Sequence, residues 1–165
     1  MIHQYGAVKV ILCLLITGFG MMGCEHQTKS VDTSFTGVHE FDPERDPAVD
    51  LQKAIKAAQQ TNKRIVLDVG GEWCVWCHKL DSLIAQNDSI NTLLRDQFIT
   101  VKINYSKKNK NDEFLSGYPP ITGYPHLFIL DSDGTLLHSQ NTAMLEKGKR
   151  HDPQKVFAFF NAWQK

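Results

Sequence analysis

Two cysteines three residues apart stand in the stretch Asp68-Val-Gly-Gly-Glu-Trp-Cys74-Val-Trp-Cys77-His-Lys79, directly after an apolar run and where a helix is expected to begin. That spacing suits a dithiol that opens and closes as a disulfide. The first N–H groups of a helix have no intrahelical partner, and the helix dipole favours negative charge beside them, so a thiolate at Cys74 is stabilised. The thiolate is the attacking species in disulfide exchange. Cys74 is therefore expected to be the nucleophile and Cys77, one turn later, the sulfur that resolves the mixed disulfide. The redox centre is then the cysteine pair itself, with no added cofactor.

The flanking pattern shows what must hold this pair. Asp46-Pro47 reads as a cap and first-turn proline, opening a helix with Leu51, Ala54, Ile55 and Ala58 on one face. Ile65-Val-Leu-Asp-Val69 fits a buried strand, and Cys74 to about Ala85 a helix. Asp88 is placed to cap a further helix carrying Ile90, Leu93 and Leu94. Phe98 to Ile103 reads as a second strand, and Ser106 to Pro120 as a loop with one helical turn near Glu113. His126 to Leu130 is a third strand, and Asp131-Ser-Asp-Gly134 turns into a fourth at Thr135 to Ser139. Asp152-Pro153 starts a last helix with Val156, Phe157, Phe160 and Trp163 as its apolar face. The expected class is α/β, a mixed sheet with helices on both faces.

With 165 residues, 42% of them hydrophobic, the chain is long enough for one domain with a real core. Eighteen basic and eighteen acidic residues cancel, and no basic stripe of the kind used for nucleic acid stands out. Near the N-terminus, Lys9 precedes the apolar run Val10-Ile-Leu-Cys-Leu-Leu-Ile16, which is short, followed by glycines, and patterned as an export signal. The run ends in Met21-Met-Gly-Cys24, which resembles the lipobox of bacterial lipoproteins, with Met21 where leucine is usual. That resemblance implies a leader over residues 1–23, a lipid on Cys24, a tether over residues 24–47 and a domain over residues 48–165. Within the tether, Phe35, Val38 and Phe41 could pack on the domain as an irregular first segment. It implies a protein lipid-anchored to a bacterial membrane and facing the periplasm or cell exterior. The alternatives are a plain signal peptide or an uncleaved anchor. Cys13 leaves with the leader, so Cys74 and Cys77 are the remaining thiols. A single vicinal pair is no disulfide framework and reads as catalytic.

Three further features accompany Trp73-Cys74-Val75-Trp76-Cys77: Asp68 six residues upstream, Lys102 in Val101-Lys-Ile-Asn104, and Gly123-Tyr124-Pro125 before a strand. Together they make residues 48–163 similar to the thioredoxin-like family, and within it to domains such as the C-terminal domain of the reductant carrier DsbD. The resemblance implies a thioredoxin fold and a thiol:disulfide oxidoreductase, with reduction the favoured direction. It implies that Asp68 is a buried acid accepting the Cys77 proton and that Lys102 tunes it. Pro125 is expected to be cis, with Tyr124 offering its backbone to substrate. Trp73 is expected to shield one side of the disulfide and Trp76 to sit at its exposed rim, or to pack against the neighbouring loop. His78 and His126 are expected as neighbours of the thiols. The implied partners are proteins bearing thiols or disulfides and an electron-carrying membrane protein. The sequence departs from the family in having Gly70 where tryptophan is usual, Val-Trp between the cysteines, and a long segment over residues 106–120.

Other chemistries share parts of this pattern. Cys74-Val-Trp-Cys77-His78 also fits the attachment motif of c-type haem, with His78 as iron ligand. Cys74, Cys77 and a histidine could bind copper or zinc, although two thiols without a second such pair are poor for structural zinc. A membrane-tethered interaction module without a redox cycle is the third alternative.

Overall fold

The computed structural model describes residues 34–165. The leader, Cys24 and the first part of the expected tether lie outside the described residues. Among the described residues, no helix is long and apolar enough to cross a membrane.

A five-stranded sheet forms the centre, in the order β1-β3-β2-β4-β5. Its strands are β1 (Gly37–Val38), β2 (Arg64–Gly70), β3 (Phe98–Asn104), β4 (His126–Leu130) and β5 (Leu136–Asn141). β1 and β2 run parallel to β3, whereas β4 is antiparallel to both β2 and β5. The inner strands β2 and β4 are buried nearly end to end, as continuous apolar runs covered on both faces should be. Side chains alternate across the pleat. Ile65, Leu67, Val69, Phe128 and Leu130 therefore face one layer, closed by Ala54, Ala57 and Ala58 of helix α1 (Pro47–Thr61). Val66, Leu127 and Ile129 face the other, closed by α2 (Val75–Gln86), α3 (Asp88–Gln97) and α5 (Pro153–Ala162). Between these lie the single helical turn α4 (Asp112–Leu115), near Glu113 as expected, and a small hairpin of β6 (Glu146–Lys147) with β7 (Arg150–His151).

The thioredoxin fold read from the sequence is the observed one, with local corrections. Asp46 caps α1 through bonds from the Ala48 and Val49 N–H groups. α3, by contrast, is capped by Asn87 rather than Asp88: the Asn87 side chain accepts from Ile90 N at 3.1 Å, and the same residue ends α2. One extended residue thus serves both helices, which a reading of each helix alone misses. On α5 the buried stripe is Val156, Phe159 and Phe160; Phe157 is exposed. The fourth strand starts one residue later and runs to Asn141. Within the expected tether, the segment foreseen as irregular is partly a strand. Gly37 and Val38 pair with Thr100 and Val101 as an edge strand, and Phe41 is buried. The folded domain therefore starts before residue 48.

Candidate active site

The site forms where β2 ends and α2 begins. Cys74 is the N-cap of α2 and is joined to Cys77 in a disulfide. The Cys77 backbone N–H donates to Cys74 Sγ at 3.1 Å, so a first-turn donor points at that sulfur. This is the local interaction that favours a thiolate over a thiol. Both cysteines are covered, Cys74 3% exposed and Cys77 1%. Exposure resides in their neighbours, Trp73 at 55% and Val75 at 65%.

Close packing sets the depth of Cys77. A Cβ on Gly70 would lie 2.5 Å from Cys77 Sγ and 3.0 Å from the Phe41 ring. The space that a larger residue would fill two positions after Asp68 is thus taken by the sulfur and by Phe41. This explains the departure at Gly70 in physical terms. Gly70→Ala should cost about 2 kcal/mol, as overpacking of a tight core does. Thermal denaturation of the oxidised protein checks this, and an unchanged midpoint would show that the sulfur can move aside.

Two residues before Gly70 on β2, the parallel register places Asp68 directly beside Lys102. Asp68 is buried; its Oδ2 lies 3.5 Å from Lys102 Nζ, and its Oδ1 has no partner. Burial pushes the Asp68 carboxyl up to about 6, against the opposing pull of the Lys102 ammonium. The lysine is shared with a second acid, which it meets more closely. Lys102 Nζ donates to both carboxylate oxygens of Asp81 on α2, at 2.6 and 2.7 Å, and sits 4.2 Å from the centre of the Phe41 ring. Asp81 was not singled out in the sequence, although its place one turn after Cys77 on the same helix was a usable signal. Phe41 was foreseen only as a residue that could pack. Asp81→Asn removes a negative neighbour and frees Lys102, so the titration midpoint of Asp68 should fall, by about one unit. Carbon NMR of the Asp68 carboxyl reads this directly; a midpoint that stays put would mean that Lys102 is held by other contacts.

Opposite the cysteines, the Tyr124-Pro125 bond is cis. The Pro125 carbonyl accepts from buried Thr142 Oγ1 at 2.6 Å, a contact without a sequence signal. Trp73 donates through Nε1 to the Tyr105 carbonyl at 2.6 Å and meets Tyr124 edge-on at 5.6 Å. Tyr105 stacks on Tyr124 at 4.9 Å. Burial, with Tyr105 alongside, raises the Tyr124 hydroxyl to about 12, so this aromatic wall stays uncharged.

The other sequence candidates are placed differently. Trp76 is half-buried, edge-on to His151 at 5.4 Å with Lys79 Nζ 4.0 Å from its ring centre, and Val75 takes the exposed rim position. His78 is exposed, with Nε2 2.9 Å from the Glu72 carbonyl oxygen. His126 is buried on the α1 side of the sheet, against Phe128 and 2.9 Å from Ser139 Oγ; burial lowers its pKa. It lies on the face opposite Asp68. With each sulfur bonded to the other, neither is open to a haem vinyl group or a metal in this state.

These features define a thioredoxin-type redox site on a thioredoxin fold. The chain belongs to the thioredoxin-like family, whose model matches residues 46–132. It is 29% identical over 94 residues to the disulfide bond reductase DsbH of Chlamydia pneumoniae, covering 52% of this chain and 56% of that protein. The chain thus spans little more than half the length of that relative. A disulphide isomerase from Xylella fastidiosa superposes with a TM-score of 0.65 at 27% identity, over 74% of this chain and 94% of the other. The oxidised DsbD C-terminal domain of Neisseria meningitidis shares the fold, with a TM-score of 0.56 at 18% identity over 76% of this chain and all of that one. Two of these relatives are named for disulfide chemistry, one as a reductase and the other as an isomerase.

Proposed function

We propose that this protein is a thiol:disulfide oxidoreductase that reduces disulfides of exported proteins through a Cys74/Cys77 cycle. The observation that carries the reading is a helix-capping disulfide that follows, along the chain, a strand bearing a buried, half-unpartnered carboxylate. In the reduced protein, the Cys74 thiolate attacks a substrate disulfide. One substrate sulfur leaves as thiolate and takes a proton from water, and the other remains bonded to Cys74. Asp68 then takes the Cys77 proton, and the Cys77 thiolate attacks Cys74 Sγ. The Cys74–Cys77 bond forms as the bond to substrate breaks, and the second substrate sulfur departs with the electron pair and is protonated. Two electrons have passed from the cysteine pair to the substrate. Trp73, Tyr124 and Pro125 form the wall against which the substrate chain lies, Lys102 tempers the basicity of Asp68, and Trp76 steadies the turn between the cysteines.

In the same reading, a lipid on Cys24 holds the domain at a bacterial membrane, on the periplasmic or outer side. An electron-carrying membrane protein restores the dithiol. The relatives' names support thiol–disulfide chemistry on proteins, and the reductase among them supports the direction. The reduction potential of the purified protein tests it. A value near about −270 mV is expected; one near about −120 mV would make it a disulfide donor and reverse the direction.

A further inference from the structure

From Val75, next to Cys74, α2 and the β6–β7 hairpin line an open groove of about 500 Å³. Val75, the exposed residue between the cysteines, forms its near end, and Lys79, Lys149, Arg150 and His151 contribute to its walls. Its lining carries three permanent cations and no carboxylate. Lys79 donates to the Lys149 carbonyl at 2.8 Å, which ties the hairpin to α2. Among the described ion pairs, none neutralises Lys79, Lys149 or Arg150. Of the nearby acids, Asp152 caps α5 through Gln154 and Lys155 N–H, Glu72 lies beside His78, and Glu146, opposite His151 in the hairpin, is outside the groove lining. The hairpin is also fixed to the redox centre. His151, 2% exposed, packs against the edge of Trp76, so the cations keep a set position relative to Cys74.

We infer that this groove is a docking surface for an acidic segment of the substrate protein, next to the cysteine that Cys74 attacks. The inference rests on Cys74 being the attacking sulfur, since that places the substrate chain across Val75 and into the groove. Unneutralised like charges in a concave site attract an oppositely charged chain and speed its encounter. Lys149 and Arg150 are exposed on the hairpin and Lys79 is half-buried beside Trp76, so the cations rim an open groove that begins at Val75, next to Cys74. The groove would give the protein a charge preference that the uncharged aromatic wall cannot supply.

The test uses three labelled peptides that carry serine at the target cysteine, flanked by glutamates, serines or lysines. The glutamate peptide should bind about tenfold tighter than the serine peptide at low ionic strength. The difference should vanish near about 0.5 M salt. The double variant Lys149→Glu/Arg150→Glu should invert the order in favour of the lysine peptide, a gain that misfolding cannot produce. Counterparts of these peptides with the cysteine restored and held in a mixed disulfide should follow the same order in kcat/KM. Equal affinity for all three peptides overturns the inference. So does sedimentation with phosphatidylglycerol vesicles that needs Lys149 and Arg150 while the peptides are not distinguished, because the surface would then serve a membrane. Charge-ordered binding without turnover would leave the groove standing and remove the reductase reading.

Discussion

Cys77→Ser should halt the protein at a covalent complex with its substrate. The variant keeps Cys74 at the cap of α2, where the residue 77 backbone N–H still points at the Cys74 sulfur and favours the thiolate. The first exchange therefore proceeds. The serine hydroxyl then occupies the place of the resolving sulfur and cannot displace the substrate. Turnover of a protein disulfide should drop to background, and a species with the summed mass of protein and substrate should accumulate. It should persist under non-reducing conditions and dissolve in dithiothreitol. Cys74→Ser should also be inactive but trap nothing, because Cys77 is seated behind Gly70 and Phe41. Mass spectrometry after mixing each variant with a disulfide substrate separates these outcomes. Trapping by Cys74→Ser and not by Cys77→Ser would exchange the two roles.

The parts of this site that were legible in the sequence are those encoded by local spacing. An apolar run, a glycine pair and two cysteines one turn apart state a strand, a turn and a helix start without reference to the rest of the chain. Asp68 and Lys102 are separated in sequence by 34 positions, yet both sit in well-patterned strands, and parallel pairing brings them side by side. The less legible parts were contacts between elements. Asp81 reaches Lys102 from another layer, and its helix position alone does not say which partner it finds. Phe41 stands in a polar, proline-containing stretch with no periodicity, and only the closed core shows why an aromatic ring belongs beneath the disulfide. In the long segment after β3, read as a loop with one helical turn, the contacts were hidden for a similar reason. Its asparagines bond to one another and to backbone: Asn104 to the Asn109 carbonyl at 2.7 Å, Asn111 to the Asn104 carbonyl at 2.7 Å, and Asn109 to the Pro43 carbonyl at 2.9 Å. A run that looks merely hydrophilic is thus a hydrogen-bonded scaffold holding Tyr105 and the residues before β1's neighbour helix in place. Trp76 shows the converse: an aromatic between two cysteines suggests a contact surface, but the β6–β7 hairpin, too short to announce itself, covers it.

Asp68→Asn should separate stability from catalysis. The carboxyl of Asp68 titrates near about 6 in the folded protein, because burial disfavours its charged form more than Lys102 favours it. An unfolded aspartate titrates near about 3.9. Between those values the folded state retains a proton that the unfolded state has released, so stability falls as pH rises. Below about pH 4 both states are protonated and the contribution is fully present; above about pH 6 it has been lost. The difference amounts to on the order of 3 kcal/mol. Asparagine cannot ionise. From pH 4 to pH 7 the variant should therefore gain on the wild type by up to that amount, measured by denaturant unfolding of the oxidised forms. Turnover should move the other way. In the proposed cycle the carboxylate that burdens the fold at neutral pH takes the Cys77 proton, and losing a general base costs about 100-fold or more. The rise of the wild-type resolution rate through about pH 6 should disappear in the variant, while attack by Cys74 on a substrate disulfide is retained. A variant that is stabilised and still resolves mixed disulfides at the wild-type rate would falsify the role of Asp68 as proton acceptor, leaving the carboxylate as a cost of the fold without a catalytic return.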